Sequence, residues 1–251
     1  MLHSYNDLSG YAIRAADGQK GRVDDIYFDD SNWQIRYLVV KSGFLLTGRQ
    51  GLISNELMGH PDTGTQELPV ALSKEEVADA APAEAEEPVS KQARPGVAAD
   101  VPAWPSFLVG TGYPYSPNLA MDQLGMEHPA PLEPSTFRQG DPHLRSMAEV
   151  KGYAAGATDG DMGSVLDFLI DPDGWHVRYF VIDTGNWLPG RRVVATTRWI
   201  SRVDWADQKI HLDVDGQTVK DAPRFKDLDH LKRSDAQEAI ERHGNVGFWP
   251  I

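Results

Sequence analysis

Two aspartate-rich stretches are the residues in this sequence whose type and spacing most resemble a metal site. They read DGDMG at residues 159–163 and DPDG at residues 171–174, and hard cations such as Ca²⁺ prefer carboxylate oxygens. A calcium loop of the EF-hand type also needs acidic residues at alternating positions, a central glycine and a distant glutamate, which neither stretch has. The sequence therefore favours turns in which the aspartates hydrogen-bond their own backbone, and predicts no metal ligand.

The histidine and nucleophile content gives no catalytic motif. The eight histidines are scattered, and no pair of them has the HxH or HxxH spacing of a zinc site. The sequence has no cysteine, which excludes disulfides, thiolate catalysis and cysteine-ligated metal centres. It also has neither a nucleophile elbow of the GxSxG type nor a phosphate-binding glycine loop. We therefore predict that the protein is not an enzyme and has no cofactor.

Two loops that combine apolar residues with arginine are the best candidates for an interaction surface. NWLPGRR occupies residues 186–192, and FLLTGRQ occupies residues 44–50. Aromatic residues beside arginine are typical of the hot spots of protein interfaces. The candidate interaction residues are Phe44, Leu45, Arg49, Trp187, Arg191 and Arg192. An alternative stays open, in which Trp187 covers the end of its own domain or packs on the other copy of the module.

These loops belong to an internal repeat, which determines the architecture. A constant offset of 142 residues aligns residues 4–80 with residues 146–222 without a gap and gives 24 identities. The identities include turn glycines and large aromatic residues, such as the pair Trp33 and Trp175. The chain therefore consists of two copies of one module, and we expect two separate domains that superpose at this offset.

Each copy has the pattern of short β-strands. In residues 33–40, aromatic and β-branched residues alternate with others at the strand period of two. GRVDDIYF before them predicts the partner strand, the turn DDSN joins the two, and QELPVAL predicts a late strand. Little helix is expected beyond a short one after Ser73, in a capping box with Glu76, and one at residues 234–244. The pattern predicts an all-β fold of two small barrels in tandem.

The hairpin also predicts a cross-strand ion pair in each copy. The arginines shared by the copies lie in the middle of a strand, where an unpaired charge is costly if it is buried. If Phe28 lies opposite Trp33, the register places Asp25 opposite Arg36, and the same spacing recurs in the second copy. The predicted structural ion pairs are Asp25–Arg36 and Asp167–Arg178.

The residues between the copies differ from them in composition. Residues 81–100 are rich in Ala, Glu and Pro, and residues 101–142 combine eight prolines with several aromatic residues. Because aromatic residues are sparse in disordered segments, we expect an extended, irregular arm held against a barrel by its rings. The predicted division is residues 1–82 for the first barrel, 83–142 for the arm, 143–223 for the second barrel and 224–251 for a C-terminal helix and tail.

The repeated pattern resembles the PRC-barrel family. The resemblance rests on Gly-Tyr, Asp-Gly, Gly-x-Val-x-Asp, an acidic turn and Trp-x-[Ile/Val]-Arg-Tyr in both copies, and on DTGNWLPGR at residues 183–191. This family includes the cytoplasmic domain of the photosynthetic reaction-centre H subunit and the C-terminal domain of a ribosome-maturation factor. The lead-in DPHLRSMAEVKGY and the ending ERHGNVGFWP are similar to a subfamily of bacterial tandem PRC-barrel proteins. The resemblance implies docking on a larger assembly, but it assigns no functional residue and names no partner.

Charge and hydropathy limit the classes of partner. The formal net charge of −13 argues against a nucleic-acid binder and against binding to an anionic membrane. Neither a signal peptide nor an apolar stretch of about 18 residues is present, so we expect a cytoplasmic protein without membrane insertion. We expect a non-enzymatic interaction or assembly protein that binds protein partners, docking on a membrane or photosynthetic electron-transport complex, with homo-oligomerisation left open. The alternative is a sensor of a small ligand or ion that uses the groove between the two barrels.

Overall fold

The structure is a computed structural model, and it describes residues 1–42, 49–92, 140–185 and 190–231. Strands are the main secondary structure of these residues and the helices are short, which confirms the predicted all-β class. The strands form two seven-stranded sheets, one for each repeat.

The first repeat begins with a short arm and continues into a set of mostly antiparallel strands. The arm consists of β1 (His3–Ser4) and α1 (Tyr5–Leu8). The strands that follow are β2 (Ala12–Ala15), β3 (Gly18–Asp29), β4 (Ile35–Ser42), β5 (Arg49–Ser54), β6 (Glu67–Pro69) and β7 (Ala81–Pro82). The helices are α2 (Lys74–Ala78) and α3 (Val89–Gln92). The strands β3 and β4 are those that the hairpin pattern predicts.

The second repeat follows the same order, except that it has an additional strand, β13, before the counterpart of β6 and no named strand at the position of β7. It consists of β8 (Leu144–Ser146), α4 (Met147–Val150), β9 (Ala154–Ala157), β10 (Gly160–Asp171), β11 (His176–Asp183), β12 (Arg192–Thr196), β13 (Ile200–Asp204), β14 (Lys209–Leu212), α5 (Gly216–Asp221) and α6 (Leu228–Leu231). The helix expected at residues 234–244 lies outside the described residues. Within the part of the chain that the structure describes, no helix is both long and apolar enough to cross a membrane.

The two sheets are open rather than closed. The strand order is β6–β2–β3–β4–β5–β7 in the first and β13–β14–β9–β10–β11–β12 in the second. Among the described residues neither path returns to its first strand, so the expected closure into hydrogen-bonded barrels is not found. In the first sheet both outer strands contain a proline, Pro69 and Pro82, which has no N–H to continue a ladder.

The repeats share the irregularities of their hairpins as well as their strands. Strand β3 shifts register between Val23 and Asp25, and β10 shifts at the equivalent positions. The shared glycines Gly21 and Gly163 have positive φ angles, and a Cβ atom there would lie 2.8 Å and 2.0 Å from a carbonyl oxygen of the neighbouring strand. Because only glycine tolerates this approach, the identity at both positions has a structural cause.

The arms cross between the repeats. Strand β1, at the start of the first repeat, pairs with β10 of the second, with His3 opposite Ile170. Strand β8, at the start of the second repeat, pairs with β3 of the first, with Arg145 opposite Phe28. Each repeat therefore completes the sheet of the other.

Each arm is hydrogen-bonded to a buried aspartate of the other repeat. Asp25 accepts hydrogen bonds from the Ser146 hydroxyl (2.5 Å) and the Ala148 amide (3.0 Å) of the second arm. Asp167 accepts equivalent bonds from the Ser4 hydroxyl (2.5 Å) and from a backbone amide of the first arm (3.1 Å). We call these two contacts the seams. One donor is not shared, because the Tyr5 hydroxyl donates to Asp25 (3.2 Å) and the equivalent residue of the second repeat is a methionine.

Burial raises the pKa of both seam carboxyl groups. Asp25 is 9% exposed and Asp167 is 5% exposed, and loss of hydration disfavours their charged forms. The hydrogen bonds that each carboxylate accepts oppose this effect but do not cancel it. The seams thus hold two carboxyl groups that are reluctant to ionise.

The two repeats share one hydrophobic core. A single cluster of buried residues includes side chains from both sheets and both arms. Its centre is aromatic: the Phe168 ring lies 5.9 Å from that of Phe28, 5.9 Å from that of Tyr5 and 4.8 Å from that of Phe180. The expectation of two separate barrels is therefore wrong, and the described residues of both repeats belong to one compact unit. The boundaries given above for the repeats along the chain stay a prediction.

The predicted ion pairs have the right arginines and the wrong aspartates. Arg36 Nη1 lies 3.3 Å from Asp29, and Arg178 Nη2 lies 2.9 Å from Asp171. The pairings Asp25–Arg36 and Asp167–Arg178 are wrong, because both of those aspartates serve the seams. The register explains the error: Phe28 lies opposite Ile35 rather than Trp33, since the turn is wider than four residues.

The turn aspartates and the short helices follow the sequence pattern. Helix α2 begins after Ser73, and both hydrogen bonds of the capping box with Glu76 are present. Asp17 accepts a hydrogen bond from the amide of Lys74, and its counterpart Asp159 accepts one from the amide of Gly216 at the start of α5 (2.7 Å each). These aspartates therefore hold helix N-termini against the sheet.

Candidate interaction surface

The two hairpin turns meet at the centre of the molecule. Trp33 and Trp175 occupy the same turn position and have positive φ angles of 66° and 54°. The Ile35 amide donates to the carbonyl of Trp175, and the Val177 amide donates to the carbonyl of Trp33 (2.8 Å each). The two turns are thus locked to each other by reciprocal hydrogen bonds.

The two tryptophans differ in exposure although their backbones are equivalent. Trp175 is 4% exposed and belongs to the core, whereas Trp33 is only partly buried. The Trp33 ring stacks on Phe28 (5.9 Å) and meets Phe180 edge-on (5.4 Å), so the core fixes its orientation. Its remaining surface lines a groove with a volume of about 470 Å³.

The groove lies between an edge strand of the second repeat and the turn of the first. One wall is β13 together with Trp205, and the other consists of Asp30, Ser31, Trp33, His143 and Arg145. Strand β13 is hydrogen-bonded to β14 on one side, and among the described residues no strand pairs with its other edge. We call this site the edge groove.

The carboxylates of the edge groove are less exposed than the His143 and Arg202 side chains that contact them. Asp30 is held by His143 Nδ1 (2.8 Å) and by Arg145 Nη2 (2.6 Å), and Asp204 pairs with Arg202 (3.2 Å). The Asp30 and Asp204 side chains are 10% and 18% exposed, whereas those of His143 and Arg202 are 55% and 61% exposed. Burial raises the pKa of Asp30, although the hydrogen bond from His143 and the charge of Arg145 oppose it. A ligand that enters the groove therefore meets the exposed Arg202 guanidinium before either carboxylate.

A cluster beside the groove has metal-ligand chemistry, but its oxygens are engaged. Ligand atoms of Asp29, Asp30 and His143 lie within 4.8 Å of one another. Asp29 accepts hydrogen bonds from the amide and hydroxyl of Ser31 and pairs with Arg36. Burial raises the pKa of Asp29, and these partners outweigh it and leave that pKa lowered. A cation would have to displace two guanidinium groups, so the cluster is better described as an ion-pair network.

The equivalent junction on the other side of the molecule has different residues. There the turn of the second repeat meets the first repeat through His60 and Asp173, which lie 3.5 Å apart with both side chains 69% exposed. These positions correspond to Arg202 and Ser31 at the offset of 142. The positions equivalent to Trp205, His143 and Arg145 are Thr63, Met1 and His3. Two arginines and a second tryptophan thus distinguish the edge groove from the other junction, which has His60, His3 and Thr63 at those positions.

The interaction loops named from the sequence lie apart from this groove where they can be located. Phe44, Leu45 and Trp187 fall outside the described residues. Arg49 begins β5 opposite Ser42 and is exposed. Arg191 donates to the carbonyl of Ala222 (3.1 Å), and Arg192 lies 3.9 Å from Asp183 with its side chain 51% exposed. None of these three arginines lines the edge groove.

Sequence reasoning missed the residues that form the groove. Trp33, His143, Arg145, Arg202 and Trp205 come from three distant parts of the chain, so no local motif unites them. A usable signal was nevertheless present in the differences between the aligned copies. Those differences place arginine where the first repeat has histidine, at Arg145 and Arg202, and place histidine and tryptophan where it has Met1 and Thr63.

Comparison with known proteins identifies the first repeat. The family model of the PRC-barrel domain matches residues 1–75. An uncharacterized protein of Deinococcus radiodurans is 31% identical over 99 residues, which cover 39% of this chain and 35% of the relative. The matched residues include β1 to β6, and the second repeat has the same hairpin and register, with β13 as an additional strand. Residues 1–75 are thus similar to the PRC-barrel domain.

Proposed function

We propose that this protein is a non-enzymatic interaction module that docks on a larger complex. A PRC-barrel domain suggests a protein-interaction module in general, and the family is generally non-catalytic. The resemblance to the reaction-centre H subunit motivates a more specific proposal, in which the complex is a membrane or photosynthetic electron-transport assembly. A cytoplasmic protein could reach such a complex at its membrane surface.

One observation carries the proposal: a rigid, nearly symmetric scaffold has acquired aromatic and cationic side chains at one of its two junctions. The seams, the hairpin register and the turn backbones agree between the repeats. Of the two junctions, as far as the structure describes them, the edge groove is the one that combines a partly exposed tryptophan with exposed arginine and histidine. Tryptophan and arginine are enriched at the energetic centres of protein interfaces.

Fractionation of a native extract tests this function. The full-length chain, expressed at its natural level in its own organism, should elute from a size-exclusion column with a complex much larger than itself. Mild chemical cross-linking before lysis should retain transient assemblies. If all of the cross-linked protein elutes at the size of the free chain, the docking function is contradicted.

A second candidate function, a small-ligand sensor, is favoured by the size of the edge groove. Its volume of about 470 Å³ is within the range of small-molecule sites. A thermal-shift screen of the purified chain against metal ions and metabolites separates the two functions. A shift of several degrees that is lost in Trp205→Thr would favour the sensor.

A further inference from the structure

We propose that the edge groove binds an extended, acidic peptide segment of a partner protein, which adds to β13 as a further strand. This inference rests on the proposed interaction function and names the chemistry of the partner. The bound segment would place apolar side chains toward Trp33 and Trp205 and carboxylates toward Arg202 and His143.

The backbone of the segment is recognised by an edge strand. β13 has a strand neighbour on one side only within the described residues, and its residues Ile200 to Asp204 form a wall of the groove. An edge strand presents unpaired N–H and C=O groups, and extended peptides in many complexes pair with such an edge. The groove along β13 provides room for a chain segment.

The charge of the segment follows from which groups are exposed. The Arg202 guanidinium is the exposed charge of the groove, with its side chain 61% exposed, while the carboxylates of Asp30 and Asp204 are less than one-fifth exposed. The buried Nε atom of Arg145 has no hydrogen-bond partner among the described residues. A chain with a net charge of −13 thus presents two arginines at this groove, which are complementary to an acidic segment.

The apolar side chains of the segment have two aromatic partners. Trp33 and Trp205 are partly buried and both line the groove. A strand alternates its side chains between two faces. A segment that alternates apolar and acidic residues therefore satisfies the tryptophans with one face and the cations with the other.

The test uses defined peptide mixtures and the full-length chain. The probe is a fluorescein-labelled mixture of nine-residue peptides that alternate Val, Ile, Leu or Phe with Asp or Glu. A mixture with Lys or Arg in the acidic positions is the control for charge. A third mixture carries N-methyl groups on alternate backbone nitrogens, which prevents strand pairing on that edge. Fluorescence anisotropy at low ionic strength reports binding to the unmodified chain and to two matched variants.

The matched variants use the internal repeat. Arg202→Glu reverses a charge in the edge groove, and His60→Glu places the same side chain at the equivalent position of the other junction. We expect Arg202→Glu to weaken binding of the acidic mixture by about tenfold or more, and His60→Glu to change it by less than about twofold. Trp205→Thr, which installs the residue found in the first repeat, should weaken binding by about tenfold. Circular dichroism of each variant confirms that it is folded.

Each other outcome overturns the proposal. Equal binding of the basic mixture contradicts the acidic chemistry, and equal binding of the N-methylated mixture contradicts strand addition. Equal losses in Arg202→Glu and His60→Glu contradict the location. If no peptide binds at millimolar concentration while the chain still fractionates with a large complex, this inference fails and the interaction function stands. Self-association of the chain that Arg202→Glu abolishes would instead identify a second copy as the occupant.

Discussion

The two junctions between hairpin turn and opposing repeat have the same backbone and different chemistry. On one side His60 and Asp173 meet as an exposed pair and Trp175 is buried. On the other side Arg202 and Ser31 stand at the same positions, and a groove leaves Trp33 partly exposed. The reciprocal hydrogen bonds between the turns are identical in length. The comparison teaches that duplication has kept the scaffold, and that function is to be sought where the copies differ.

The two seams, unlike the two junctions, have equivalent contacts in both copies. Each seam has a buried aspartate, a serine hydroxyl from the other repeat and a backbone amide of the same arm. The seams differ in their further side-chain donors: Asp25 also receives the Tyr5 hydroxyl, and Asp167 also has a side-chain hydrogen bond with Asn6, which stands where the other arm has Ala148. We therefore expect seam variants to change stability, and variants of the edge groove to change binding.

Removal of a seam carboxylate should have the largest effect. Asp25→Ala leaves the Ser146 hydroxyl and the Ala148 and Ile26 amides without their acceptor, and each buried donor left unsatisfied costs about 1–3 kcal/mol. We expect the free energy of unfolding in urea to fall by about 3 kcal/mol or more. Asp167→Ala should cost about the same, since Asp167 accepts equivalent bonds from a serine hydroxyl and two backbone amides. A loss below about 1 kcal/mol in both variants would contradict the account of the seams.

The pH dependence of stability should change in the seam variant Asp25→Asn. Burial raises the pKa of Asp25 above its value in the unfolded chain, so its contribution is fully present below the unfolded pKa and is lost as pH rises through the folded pKa. Each unit of pKa difference corresponds to about 1.4 kcal/mol. The neutral variant should therefore gain stability relative to the unmodified chain as pH rises from the ordinary aspartate value toward neutrality.

The opposite dependence is expected for Asp171→Asn. Burial raises the pKa of Asp171, but the hydrogen bond and charge of Arg178 outweigh it and leave that pKa lowered. Its stabilising contribution is present above the unfolded pKa and is lost as pH falls through the folded one. Urea unfolding of both variants from pH 3 to pH 8 should thus give difference curves of opposite slope. If the two difference curves had the same slope, the raised pKa of Asp25 and the lowered pKa of Asp171 would be contradicted.

The contribution of the Tyr5 hydroxyl to the Asp25 seam can be measured with Tyr5→Phe. This change deletes the hydroxyl that only the Asp25 seam receives, and a hydrogen bond of this kind contributes about 1 kcal/mol. In the Tyr5→Phe background, the cost of Asp25→Ala should fall by about 1 kcal/mol, while the cost of Asp167→Ala should stay the same. An unchanged cost of Asp25→Ala in this double-mutant cycle would show that the hydroxyl does not stabilise the seam.

The ion pair Asp171–Arg178 should have the smallest effect. The Arg178 side chain is 52% exposed, and exposed pairs contribute at most about 1 kcal/mol. We expect Arg178→Ala to lower the free energy of unfolding by less than about 1 kcal/mol, far less than the seam variants. A cost equal to that of Asp167→Ala would restore the importance that the sequence assigned to this arginine.

Local patterns in the sequence predicted the local structure well. The strands β3 and β4, the capping box at Ser73 and the aspartate turns are determined by residues near one another in the chain. The repeat was visible because glycines such as Gly21 and Gly163 are required wherever the same backbone approach recurs. The shared aspartates Asp25 and Asp167 were correctly singled out, although for the wrong partner.

The arrangement of the repeats could not be predicted from the same patterns. Ser4 and Ser146 have similar local sequences, and nothing in them states which copy of the sheet an arm will join. The wider turn at Trp33 shifts the register by two residues, because a tryptophan with positive φ is rarely expected there. The edge groove depends on both of these features, so its residues come together only in the folded chain.

The central claim is that the two repeats form one interlocked unit, and cleavage of the connection between them tests it most directly. A specific protease site is inserted between residues 93 and 139 of the full-length chain, and the protein is cut under native conditions. Because each half supplies an arm to the other and both contribute to one core, the halves should elute together at the size of the intact chain. They should also unfold in a single transition. Two halves that separate and remain folded by circular dichroism would contradict the account.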